Sequence, residues 1–183
     1  MMHTSELHAR RCSWTWSWWF AGCCIVLAGC IGCGAAAGKL IDRRFVSPAH
    51  GFEVRLPEGG WRATSDGPAV LTLTHPTLAA GITVSVTCNR ERQVSLEVLT
   101  RHLFFGFKDL EILHQEPWAL NGVQALQTVA RARLDQDAVQ VKSYVTQRDS
   151  CVYDIVYVAR LEDYARGEPS FDRMLAGFRF LPS

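Results

Sequence analysis

Between residues 123 and 159 the chain repeats one pattern. A strand-length run alternates apolar and polar residues, and a polar break then turns the chain back. Val123 to Leu134 and Ala138 to Gln147 are the first two runs, and Asp135-Gln136-Asp137 separates them. Successive side chains of a strand point to opposite faces, so alternation at period two buries one face and wets the other. Two such runs joined by a short polar break form a hairpin, here expected to be of the longer-loop kind. The third run, Cys151-Val-Tyr-Asp-Ile-Val-Tyr-Val-Ala159, is almost continuously apolar. That suits a central strand covered on both faces. A chain with this block must build a sheet and lay something against each side of it.

The flanking segments supply both. Phe52 to Leu56, Val70 to Thr74, and the run with Ile82, Val84, Val86 and Cys88 on one face alternate like strands. Pro57 to Gly60 ends the first, and His75-Pro76 ends the second because Pro lacks a ladder donor. The period then changes. Ser95 is an N-cap, Glu97 suits the first turn, and Leu96, Leu99, Leu103 and Phe107 recur at helical spacing. A helix is expected over about residues 96–105, with Val94 and Leu99 placed as a hydrophobic staple. Leu110 to Glu116 returns to alternation, and Asn121-Gly122 is a turn pair. A short helix is expected from Pro169 to Ala176, capped by Gly177, before a closing strand at Phe178 to Phe180. The expected class is α+β: an antiparallel sheet with strands in consecutive order, flanked by helices.

The N-terminus is of another kind. Arg10-Arg11 precedes an uncharged stretch from Trp14 to Gly29, the layout of an export signal. Leu27-Ala28-Gly29-Cys30 resembles the lipobox of bacterial lipoproteins, whose cysteine thiol takes a diacylglyceryl group and becomes the new N-terminus. The resemblance implies cleavage between Gly29 and Cys30 and lipidation of Cys30. Cys23 would leave a short apolar region, and at Cys33 the bulky Ile31 fits poorly. A second reading is an uncleaved anchor, since residues 14 to 37 carry no charge. Four glycines between 29 and 38 weaken such a helix. The twin arginine lacks the flanking residues of a twin-arginine signal. Gly34 to Leu40 imitates a phosphate loop, but its glycines are too close and Leu40 stands where Ser or Thr must bind magnesium. The organisation expected is a signal peptide over 1–29, a lipidated cysteine and flexible tether over 30–44, and one domain over 45–183.

Charge and cysteine usage narrow the partners. Removing Arg10, Arg11 and Glu6 from the totals of 19 basic and 18 acidic residues leaves 17 of each. A neutral domain lacks the basic footprint of a nucleic-acid binder and any overall pull towards anionic lipid. Cys88 and Cys151 are the cysteines of the domain. In an oxidising compartment they form a disulfide or stay as buried thiols, and strand patterning fits both.

The domain as a whole resembles the PsbP-like family. His50-Gly51-Phe52-Glu53-Val54-Arg55-Leu56-Pro57-Glu58-Gly59-Gly60-Trp61 is similar to its opening strand, with one extra glycine before Trp61. Val152 to Tyr157 resembles the penultimate strand, and Phe171 to Phe180 the closing helix and strand. The resemblance implies an α/β/α sandwich around an antiparallel sheet. The family holds a lumenal subunit of photosystem II, bacterial lipoproteins and a nuclear-import factor, which act mostly by docking on other proteins. Fold does not carry function, so none of their roles transfers.

No constellation for chemistry is visible. His50, His75, His102 and His114 share no metal-ligand spacing, and GxSxG is missing. Asp135 and Asp137 read as turn formers rather than calcium ligands. Arg131 and Arg133, with Lys142 opposite, read as a solvated strand face or a docking patch. No catalytic or metal residue and no cofactor is assigned. The expected function is a membrane-anchored, extracytoplasmic protein-binding or accessory module with an envelope partner. It sits at the outer membrane where there is one, because Ile31 and not Asp follows Cys30. The alternative is a small extracytoplasmic enzyme such as a hydrolase, whose groups would converge only in the fold.

Overall fold

A computed structural model describes residues 38–64, 67–88 and 94–182. The export signal, the cleavage site, Cys30 and most of the tether lie outside the described residues. Among the described residues the strands form two antiparallel sheets. The large sheet has seven strands in the order β4-β5-β6-β10-β9-β8-β7. They are β4 (Arg62–Thr64), β5 (Leu71–Thr74), β6 (Ala80–Cys88), β7 (Lys108–Leu120), β8 (Val123–Leu134), β9 (Asp137–Arg148) and β10 (Cys151–Arg160). The small sheet is β1 (Lys39–Ile41), β2 (Arg44–Ser47), β3 (Phe52–Arg55) and β11 (Arg179–Phe180), in that order. Helix α1 (Leu96–Leu103) follows β6, and α2 (Leu161–Ala176) follows β10. The class is α+β, as the alternation implied.

Strand order departs from chain order at one place. After β6 the chain crosses through α1 to the far edge, and β7 to β10 meander back until β10 pairs with β6. This puts the most apolar strand at the centre. Its odd residues Tyr153, Ile155, Tyr157 and Ala159 are buried, and the even ones are half-buried. The first face meets the small sheet and α2. Phe52 stacks on Phe178 at 5.3 Å and meets Tyr153 edge-on at 6.3 Å, and the Tyr153 hydroxyl donates to His50 O at 2.8 Å. On the second face Phe104, just after α1, packs with Ala130, Ala132, Val139 and Val141. Ser95 caps α1 by accepting from Val98 N, as its position in the sequence suggested.

Four expectations are corrected. Residues 39–44, expected in the tether, include β1 and the start of β2, which form a hairpin across Asp42-Arg43 with φ of 46° and 61°. Asp tolerates that left-handed geometry, and Phe45 draws the hairpin into the core. The β8–β9 turn has two residues, not a longer loop: Leu134 pairs directly with Asp137, and Asp135 takes φ 55°. Helix α2 begins at Leu161, eight residues before Pro169. Where one sheet was expected there are two, with β11 closing the small one against β3.

Cys88 and Cys151 face each other across β6 and β10, and their Sγ atoms are bonded.

Candidate functional site

The strands β7, β8 and β9 present three aligned rows on the face that also receives α2. Cross-strand pairing sets His114, Val129 and Lys142 in one row, Glu116, Gln127 and Tyr144 in the next, and Trp118, Ala125 and Thr146 in the third. Period-two geometry makes this alignment inevitable once the register is set. The C-terminal half of α2 and the entry to β11 stop short of covering these rows. A groove of about 550 Å³ remains, with Leu120, Leu175 and Phe178 as apolar lining and Glu116, Asn121, Asp172 and Arg179 among its polar residues.

Trp118 is 43% exposed although large and aromatic, and it meets Tyr144 edge-on at 5.8 Å. The Tyr144 hydroxyl donates to Gln127 Oε1 at 2.9 Å, and burial pushes its pKa up to about 12. Beside it Lys142, a buried cation, donates to Glu168 Oε1 at 2.9 Å and Asp172 Oδ1 at 2.7 Å. Burial pulls the Lys142 pKa down, but these two hydrogen bonds outweigh it and the net shift is upward. Glu168 and Asp172 stand one turn apart on α2, so a single helix face supplies both acceptors. Lys142 thus pins α2 over β9. His114 Nε2 lies 3.2 Å from Glu116 Oε2 on the exposed side of the same rows.

No protein-family model matches the sequence, and no curated protein matches it either. Solved structures do match in three dimensions. Cyanobacterial PsbP, CyanoP, from Synechocystis sp. PCC 6803 superposes with a TM-score of 0.58 at 13% identity, covering 84% of this chain and 98% of CyanoP. The fold is PsbP-like. LpqN, involved in cell envelope biogenesis of Mycobacterium tuberculosis, superposes on the same PsbP-like fold with a TM-score of 0.57 at 11% identity, covering 72% of this chain and 83% of LpqN. PA94 from Pseudomonas aeruginosa, a protein of unknown function described as a putative regulator, gives 0.52 at 11% identity, covering 69% and 85%. At such identities the likeness speaks for the PsbP-like architecture alone.

The residues singled out in the sequence are dispersed over this PsbP-like frame. His50 is bonded to Ser47 Oγ at 2.8 Å, and His75 to Gly59 O at 2.6 Å, where it also meets Trp61. His102 is exposed on α1, Asp135 is in a turn, and Asp154 is in the central strand. Arg131, Arg133 and Lys142 share one sheet face, but Lys142 is buried between carboxylates and Arg133 lies 3.6 Å from Asp109. The groove itself was missed. Glu168 and Asp172 at helical spacing and Lys142 in the middle of an alternating strand were its signals, but α2 was not expected to reach Glu168.

Proposed function

We propose that this chain is an extracytoplasmic accessory module, tethered by a lipid on Cys30, that docks a protein of the cell envelope in the groove between β7–β9 and α2 without performing chemistry on it. The observation that carries this is the half-exposed Trp118 in a ready-made recess of mixed apolar and polar lining. Buried aromatic anchors in preformed pockets supply most of the energy of protein recognition. Two of the polar groups around it are poor bases or nucleophiles. Tyr144 stays protonated at neutral pH, and Lys142 is charged and saturated by two carboxylates. The PsbP-like fold is compatible with an accessory role, and so is the involvement of LpqN in cell envelope biogenesis with an envelope location. The lipobox supports the anchor, and Ile31 supports the outer membrane where one exists.

The test is crosslinking in intact cells with the full-length protein, paired with metabolic labelling by palmitate. Label enters the wild type and is lost in Cys30→Ser. An envelope protein crosslinked by the wild type is recovered about tenfold less with Trp118→Ala, in line with loss of one aromatic anchor. Label that persists in Cys30→Ser removes the anchor, and equal recovery with Trp118→Ala removes the groove.

A further inference from the structure

The chain from Cys30 onward is close to electroneutral, yet its charges are not evenly spread. Pairing within the small sheet sorts its residues into two faces. Phe45, Phe52, Val54 and Phe180 point inward to the core. Outward, Lys39, Val46 and Glu53 form one row, Ile41, Arg44 and Arg55 the next, and Arg179 pairs with Glu53 from β11. Among the described residues this face therefore bears four cations against one carboxylate. Arg44 and Arg55 stand directly opposite each other, an arrangement that costs stability unless an anion lies between them. Glu53 reaches Arg44 only at 3.6 Å. On the same face the edge strand β1 exposes an apolar side chain, Ile41 at 57%, in the row of Arg44 and Arg55. An exposed aliphatic residue rimmed by Lys and Arg is the chemistry of an interfacial membrane contact.

Chain connectivity brings that face to a membrane. Lys39 is nine residues after Cys30, and nine residues span at most about 30 Å when fully extended. A lipid on Cys30 thus keeps β1 near the headgroups and raises its effective concentration there.

We infer that the outer face of the small sheet, with the β1–β2 hairpin, is a docking surface for anionic phospholipid. Lys39, Arg44 and Arg55 meet the headgroups, and Ile41 enters the interface. The inference rests on the anchor reading above for its proximity argument. Its consequence is orientation: the domain is held in one attitude on the bilayer.

The test uses the full-length lipidated protein, reconstituted into vesicles of phosphatidylcholine alone or mixed with phosphatidylglycerol. Amide hydrogen exchange over residues 39–46 and 53–55 slows by about tenfold or more in the anionic vesicles relative to the neutral ones, since each cation near such a surface strengthens contact roughly fivefold. Arg44→Glu combined with Arg55→Glu abolishes the difference, while amides of α2 exchange as in the wild type and report an intact fold. Equal exchange in both compositions, with the protein sedimenting with both, overturns the inference. A protein that does not sediment with neutral vesicles overturns the anchor reading instead. The face is then judged by anionic vesicles alone: capture of the wild type but not the double variant supports it, and no capture overturns it.

Discussion

Asp154 places a carboxyl in the central strand of the large sheet, opposite Ser85 on β6 and Val145 on β9. Its Oδ1 is buried without a hydrogen-bond partner, and burial raises its pKa from 3.8 to about 6. Burial disfavours the charged form, so the folded state holds this proton more tightly than the unfolded chain. Stability is therefore highest below about pH 4, falls as the pH rises through about 6, and is flat in this respect above that. The expected loss across the window is about 3 kcal/mol. Asp154→Asn removes the slope, so urea midpoints at pH 4 and pH 7 differ less in the variant than in the wild type. An unchanged difference would assign the slope to other groups. The sequence shows an acid among apolar neighbours but not its burial, because burial depends on β6 and β9 closing in from either side.

Helix α2 shows where local signals mislead. The sequence places the start of this helix at Pro169 and leaves Gly167 outside it, since Pro suits a first turn and Gly weakens helix interiors. In the structure Tyr164, Gly167, Phe171, Met174 and Leu175 form one buried stripe against the core. Pro169 falls on the exposed side, so its missing N–H costs little there. Asp163, in the first turn, accepts from Ala79 N at 2.8 Å and from Arg166 Nη1 at 2.7 Å and ties the helix start to the β5–β6 loop. Packing thus overrides propensity. Gly167 is required by close approach: a methyl group there meets the Tyr157 hydroxyl, which donates to Tyr164 O at 2.9 Å. Gly167→Ala, stabilising in an isolated helix, is expected to destabilise this protein by about 1–3 kcal/mol through overpacking. Chemical denaturation measures it, and Tyr157→Phe in the same background recovers part of the loss by removing the clashing oxygen. A stabilised Gly167→Ala variant would show that the Tyr157 ring moves aside freely.

At the scale of the molecule, the β6–β10 junction holds together what the chain separates. Between Cys88 and Cys151, 63 positions apart, lie α1 and the strands β7, β8 and β9. Closing a loop of this length restricts the unfolded chain, and a disulfide there contributes about 2–4 kcal/mol. Cys88→Ser with Cys151→Ser is expected to lower unfolding stability by that amount in a non-reducing buffer. Wild type titrated with dithiothreitol should converge on the variant. If the two already agree without reductant, the hydrogen bonds of the β6–β10 ladder carry the junction unaided. From the sequence the pair was open between bond and buried thiols, and the register that sets the two cysteines opposite each other resolves it.

What local chemistry settles in this protein is periodicity and punctuation. The strands from Phe52 to Ala159, the Ser95 cap, the Asn121-Gly122 turn, the α+β class and the likeness to PsbP-like domains all follow from residues a few positions apart. Such signals act through backbone dihedrals and side-chain direction, which neighbours in sequence control. Contacts between distant segments settle the rest. The pairing of β6 with β10, the separation into two sheets and the full length of α2 depend on which faces meet. So does the groove around Trp118 and Lys142, whose lining comes from β7, the turn after it, β8, β9, α2 and β11. The outward sorting of Lys39, Arg44, Arg55 and Arg179 is of the same kind. A neutral composition hides it, because charge segregates only when strands distant in sequence share a face.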